Sequence, residues 1–324
     1  MARIAVVFTG GTISMRQADG GNVPVLRGAD LLASVPDLSA AVEAVDWGLV
    51  PASHLRFEQV LEIGRILRDA LARPEIDGAV VVQGTDVMEE TAFAWDLLPL
   101  GDKPVVVVGA MRSASQEAYD GPENLRNAVA AAADAGLSGQ GVVVAMAGEL
   151  HGADDVRKRH THAHATFGSP NLGPLGTIAD GAVSLRRRRA RVPLPRIPDR
   201  AAVPVRLVTA VLDDEPSAGE PPPAGLVVAA AGGGNTPPAY LELARPLIDA
   251  GVPVVLTTRC PSGAPRAGYG FRGGSSQWWE AGAIFSGTLD GLKARVLVAL
   301  GVGAGLDARG LAEHCVAYGG GRRS

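Results

Sequence analysis

An α/β fold with a mostly parallel sheet is the architecture this sequence predicts, and three observations carry it. Short valine-rich apolar runs recur along the chain, their hydrophobicity is continuous rather than alternating, and stretches with helical spacing lie between several of them. Continuous runs suit strands covered on both faces, and strand–helix alternation favours parallel pairing. The expected arrangement is a larger N-terminal domain, its mostly parallel sheet flanked by helices, followed by a smaller C-terminal α/β domain.

In order, the expected strands are Ile4–Phe8, Ala79–Val82, Val105–Val108, Val142–Met146, Val205–Val211, Leu226–Ala230 and Val254–Thr257. Phe57, Val60, Leu61, Gly64, Leu67 and Leu71 fall on one face at 3.6-residue spacing, which predicts a helix. Glu89–Leu98 and Leu125–Ala135 read the same way. Periodicity stops over RRRRARVPLPRIPDRAAVP, residues 186–204, where prolines forbid helix and favour an extended connection. The expected division is therefore residues 1–186 and 205–324 joined by a linker at 187–204. The arginine run reads as a solvated face of that linker rather than a nucleic-acid surface. Asp213–Pro223 is expected to be a surface loop.

The 324 residues are 47% hydrophobic and 20% charged, the balance of a globular protein with a sizeable core. A net charge of −4 gives no electrostatic reason to expect nucleic acid or an anionic membrane as the partner. No stretch approaches the roughly 20 apolar residues of a membrane span. The opening MARIAVVFTGG holds too short an apolar run for a signal-peptide core, so a cytoplasmic enzyme is expected. Cys260 and Cys315 are too few for a disulfide framework and leave open only a single bridge.

Chemistry enters at the strand ends. The first strand runs into Thr9-Gly10-Gly11-Thr12-Ile13-Ser14, a glycine turn that brings backbone close to a ligand. A dinucleotide site needs a third glycine and a helix at once, and Ser14–Val25 is instead a polar loop. The second strand ends in Gln83-Gly84-Thr85-Asp86, a second glycine–threonine turn with a carboxylate beside it. Asp86 and Glu89 also have capping-box spacing, which by itself would explain the aspartate. Two such turns in one parallel sheet would present both hydroxyls on the same rim.

Seven segments together resemble the bacterial and archaeal L-asparaginase family. They are TGGTIS at Thr9–Ser14, GTDVMEETA at Gly84–Ala92, KPVVVVGAMR at Lys103–Arg112, DGPENLRNA at Asp120–Ala128 and SPNLGPLG at Ser169–Gly176. TTRCPSG at Thr257–Gly263 and SGTLDGLKARVLVAL at Ser286–Leu300 complete the set. The resemblance implies hydrolysis of L-asparagine to aspartate and ammonia, with minor glutaminase activity, and no metal or organic cofactor. It implies that Thr12 is the nucleophile, that Thr85 and Lys158 work together at the base of the site, and that Asp86 binds the substrate's α-amino group. Ser53 would hold the α-carboxylate, although a serine just before a helix also reads as an N-cap. Gly11, Thr85 and the Ala110 carbonyl would complete the substrate contacts. L-asparagine is then the partner, with no nucleic acid or membrane, and the assembly a homotetramer or homodimer. A threonine hydroxyl is a weak nucleophile at neutral pH and needs a neighbouring base or relay, which a lysine in a pocket can supply.

Two family features are missing. Ser14–Arg27 has no lid tyrosine; the tyrosines are Tyr119, Tyr240, Tyr269 and Tyr318. Gly268–Gln277, where a glutamate for the neighbouring subunit's site is common, holds no acidic residue. These gaps motivate the alternatives of a non-catalytic amino-acid-binding protein or an amidase on a related amide. An amidotransferase subunit would place an extra domain ahead of the threonine turn, and Thr12 lies too near the start. His160-Thr161-His162-Ala163-His164 would line three imidazoles on one face if extended, a metal reading set beside that of a solvated loop. Asn235 after Gly232-Gly233-Gly234 reads as a cross-subunit contact or as a turn asparagine.

Overall fold

The computed structural model describes residues 1–320, so the sequence-based end of the second domain at 324 lies outside the described residues. The chain divides into two compact units, Met1–Ala190 and Arg191–Ser324.

The first unit contains strands β1 (Arg3–Phe8), β2 (Met15–Ala18), β3 (Gly21–Pro24), β4 (Ala41–Asp46), β5 (Gly78–Val82), β6 (Val105–Val108), β7 (Val142–Met146) and β8 (Glu149–Gly152). These are followed by β9 (Arg157–Lys158), β10 (Phe167–Gly168), β11 (Gly176–Ala179) and β12 (Ala182–Leu185). Its helices are α1 (Gly28–Ala33), α2 (Phe57–Leu71), α3 (Met88–Leu97) and α4 (Gly121–Ala132). An eight-stranded sheet runs β12-β11-β8-β7-β6-β5-β1-β4. Strands β4, β1, β5, β6 and β7 pair in parallel, while β8, β11 and β12 extend the sheet antiparallel. The parallel core is apolar on both faces: every residue of β5, β6 and β7 is buried. Helix α2 buries Val60, Leu61, Gly64, Leu67 and Leu71 of the face that the spacing predicts, together with Ile63, while Phe57 at its first turn is only partly buried. The expected helix at 125–135 begins earlier, at Gly121, and its end gives way to a separate single turn at Ala135–Leu137.

In the second unit, β13 (Val205–Thr209), β14 (Gly225–Ala230), β15 (Val254–Thr258) and β16 (Ile284–Phe285) form a four-stranded parallel sheet. Helices α5 (Pro238–Asp249), α6 (Ser275–Glu280), α7 (Gly291–Gly303) and α8 (Ala308–Gly319) accompany it. Leu226, Val228, Tyr240, Leu256, Trp278 and Phe285 lie in one buried cluster of this unit. Asn235 spends its side-chain oxygen inside its own unit, accepting the Ser275 amide at 3.3 Å. Both cysteines are free thiols, and burial pushes the Cys315 thiol up to about 12.

Residues 186–204 form no helix or strand, yet the arginine run is not a uniformly solvated face. Arg186 and Arg188 are exposed, whereas the Arg189 guanidinium is buried and ion-paired with Asp96. An extended chain turns alternate side chains to opposite faces, so a run of four arginines cannot all face water against a packed surface.

Candidate active site

Three neighbouring parallel strands end level with one another: Phe8 pairs with Val82, and Val82 with Val108. The turns that follow therefore share one rim, the usual ligand-binding edge of an open α/β sheet. Each carries small residues within two or three positions of its strand end, Gly10-Gly11, Gly84 and Gly109-Ala110. Gly11 sits at φ +91°, and a β-carbon there would lie 2.1 Å from the Gly84 amide nitrogen. Only glycine lets the first two turns touch backbone to backbone. The Thr9 amide and hydroxyl both donate to the Val82 carbonyl, at 2.9 and 3.0 Å, and lock this approach.

Thr12 opens a single 3-10 turn, Thr12–Ser14, and is partly exposed above the buried Ile13 and Ser14. Thr85 is 5% exposed on the adjoining turn. Lys158 reaches it from β9: its Nζ donates to Thr85 Oγ1 at 2.8 Å and lies 3.2 Å from Asp86 Oδ1. The Lys158 side chain is 19% exposed, so it is half-sheltered rather than fully buried, and the Asp86 side chain is 64% exposed. The strand carrying Lys158 is fixed in turn, because its backbone amide donates to Glu89 Oε2 at 2.9 Å. That contact corrects the capping-box reading. Helix α3 begins at Met88 with Val87 as its cap and no capping side chain, and the Glu89 carboxylate turns to the lysine strand instead.

Ser53 is exposed on a second 3-10 turn, Ala52–His54, whose buried Ala52 lies against Gly84. It is not the cap of α2. Arg56 takes that place, its amide donating to Gln59 Oε1 at 3.0 Å. Ala110 is buried, and a β-carbon on the preceding Gly109 would come within 3.2 Å of Thr85 Cγ2. The start of α4 holds this loop: Asp120 accepts the Met111 and Arg112 amides at 3.0 and 2.9 Å, and Asn124 donates to the Gly109 carbonyl at 3.1 Å. The structure thus places Gly11, Thr12, Ser53, Thr85, Asp86, Ala110 and Lys158 on turns and a short strand gathered at this rim. Asp86, Glu89, Lys158, Arg159, His160 and Thr161 line a cavity of about 510 Å³ beside them.

Two residues escape the sequence reading. Glu89 positions Lys158, and its only sequence signal is the spacing that mimics a cap. Tyr119 donates its hydroxyl to the Ile13 carbonyl at 2.6 Å, directly behind Thr12. The histidine segment is a turn rather than a strand: His160 Nδ1 accepts the amides of His162 and Ala163 at 3.0 and 2.9 Å. Among the described residues no group of three His, Cys, Asp or Glu is placed to hold a metal ion.

Chemically, the rim offers two hydroxyls, an ammonium bonded to one of them, and a carboxylate open to solute. Such a set can add a hydroxyl to a carbonyl and shuttle the proton.

Comparison with known proteins adds an independent line. The sequence matches the family profile described as "Asparaginase, N-terminal" over residues 3–191 and that of the "Glutaminase/Asparaginase C-terminal domain" over residues 205–314. It is 38% identical to a probable periplasmic L-asparaginase of Haemophilus influenzae over 58% of this chain; the match spans about half of that relative, 55%. It is 36% identical to a probable L-asparaginase of Deinococcus radiodurans over 94% of both chains. The crystal structure of a probable cytoplasmic L-asparaginase from Campylobacter jejuni superposes with a TM-score of 0.88 at 28% identity, covering 98% of this chain and 100% of that one.

Proposed function

The chain belongs to the asparaginase family, and from that premise we propose that it hydrolyses L-asparagine to L-aspartate and ammonia. The observation that carries the reading is the 2.8 Å bond from Lys158 Nζ to Thr85 Oγ1, beside a Thr12 turn that touches the Thr85 turn backbone to backbone. In the first half-reaction Thr12 Oγ1 adds to the side-chain amide carbon. Backbone N–H groups of the glycine turns face the developing oxyanion, a donor type worth roughly 3–4 kcal/mol. The C–N bond breaks, the nitrogen leaves protonated as ammonia, and an aspartyl ester remains on Thr12. In the second half-reaction a water adds to the ester and Thr12 regains its proton. Thr85 and Lys158 form the proton relay at the base of the site. Asp86 pairs with the α-ammonium, and the exposed Ser53 hydroxyl receives the α-carboxylate.

The C-terminal profile's description supports a minor glutaminase activity, and a homotetramer or homodimer is part of the same reading. So is a cytoplasmic location, supported by the Campylobacter neighbour, which is named as cytoplasmic; the Haemophilus relative is named as periplasmic. No helix of the described residues is long and apolar enough to cross a membrane. Ammonia release from asparagine and glutamine, measured against buffer, tests the function. Tight aspartate or asparagine binding with no turnover of any amide would replace it with a non-catalytic binding role.

A further inference from the structure

The turn that carries Thr12 is closed by donors from several parts of the chain. The Gly11 carbonyl accepts the Ser14 amide at 2.9 Å, and the Thr12 carbonyl accepts the Met15 amide. The Ser14 carbonyl accepts the amides of Val25 and Leu26 at 2.8 and 2.9 Å. The carbonyl between them, that of Ile13, is taken by a side chain: Tyr119 Oη donates to it at 2.6 Å across 106 positions of sequence.

Several features aim the phenol at this carbonyl. Ala118 lies at φ 54°, a left-handed conformation that a non-glycine residue holds only when its surroundings impose it. On the other side, the buried Asp120 is anchored by the Met111 and Arg112 amides. Gly121 leaves the space, since a β-carbon there would meet Tyr119 Oη at 2.2 Å. The same stretch is tied to the chain after Thr12 twice more, by the Ala114 amide on the Met15 carbonyl at 3.1 Å and the Gln17 amide on Ser115 Oγ at 3.0 Å. Burial, with Asp120 alongside, pushes the Tyr119 phenol above its usual range. It therefore keeps its proton at neutral pH and acts as a donor, not as a base.

We propose that Tyr119 is a positioning residue for Thr12, fixing the nucleophile's turn through the Ile13 carbonyl. Residues 14–27, the stretch that follows Thr12, hold no tyrosine of their own. The proposal rests on the reading of Thr12 as nucleophile, and its test separates the two.

Tyr119→Phe keeps the ring and removes only the hydroxyl. In the full-length protein, kcat for asparagine is expected to fall roughly 10- to 100-fold, the scale of a misplaced reacting group, with KM within about twofold of wild type. Hydrogen exchange at the amides of Ser14 and Met15 is expected to accelerate, while that of α4 stays as in wild type. Wild-type kcat, or a loss shared by KM and melting temperature, would overturn the proposal. Should the wild-type protein itself turn over no amide, the function reading fails. The exchange measurement then decides alone: faster exchange confined to the turn upholds the latch, and unchanged exchange removes it.

Discussion

Lys158→Met removes the ammonium but keeps an unbranched chain of similar length. The substitution leaves untouched the Lys158 backbone amide on Glu89, so β9 keeps its anchor. Two side-chain contacts are lost, and they weigh differently. The pair with Asp86, at 3.2 Å, involves a carboxylate whose side chain is 64% exposed, and water reduces its contribution to about 1 kcal/mol or less. The 2.8 Å bond to Thr85 joins a residue only 5% exposed, and losing it costs roughly 1–2 kcal/mol because a buried hydroxyl oxygen is left without its donor. Folding stability should therefore drop by only roughly 1–3 kcal/mol, a few degrees of melting temperature. Activity should drop far more. A proton-relay group contributes typically about 10²–10⁴-fold, and that loss should fall on kcat, with KM little changed because Asp86 and Ser53 remain. Ammonia release at saturating and limiting asparagine, beside a melting curve, measures both effects. A kcat within about threefold of wild type would refute the relay and leave Lys158 a structural residue.

Gly11→Ala should abolish activity and destabilise the fold by roughly 3 kcal/mol or more, since it adds left-handed strain at φ +91° to a contact 2.1 Å from Gly84; a soluble variant with normal kcat and melting temperature would contradict the backbone contact. His151 is buried and its ring is lowered to about 4 from the ordinary 6.5, first by burial and then by Arg159 and Arg187, although the Glu149 carboxylate lies 3.4 Å away. Between those values the unfolded chain binds the extra proton, so the stability from this group is full above about pH 6.5 and lost as pH falls toward 4, a change of roughly 3 kcal/mol. Urea unfolding at pH 7.5, 5.5 and 4.5 should show a shallower decline in His151→Asn, and parallel declines in the two proteins would refute the assignment.

The sequence is most legible where burial is two-sided. Val105–Val108 reads as a strand because both of its faces are covered, leaving no polar alternation to confuse it. Ala41–Asp46 does not read as one. It lies at the sheet's edge, beside β1 alone, with Glu43 turned out to pair with Arg73, so its pattern is partly polar. The antiparallel strands β11 and β12 are hidden for the same reason, being short and partly exposed, whereas β8 is largely buried but only four residues long, with Glu149 and His151 breaking its apolar pattern. In the site, the glycine–threonine turns announce themselves through local backbone needs. Tyr119 and Glu89 do not, because each acts through a bond to a residue distant in sequence, and distance along the chain carries no local pattern. Arg189 is similar: its run looks solvated until Asp96 is seen beneath it.

In the proposed reaction two threonines on one rim perform the hydrolysis, Thr12 as nucleophile and Thr85 as the hydroxyl bonded to Lys158. The most direct measurement is kcat/KM for asparagine in wild type, Thr12→Ala and Thr85→Ala, each with its melting temperature. Both variants should fold, and each should lose at least about 10³-fold in kcat/KM, beyond the contribution of a single hydrogen bond. Full activity in either variant would contradict it.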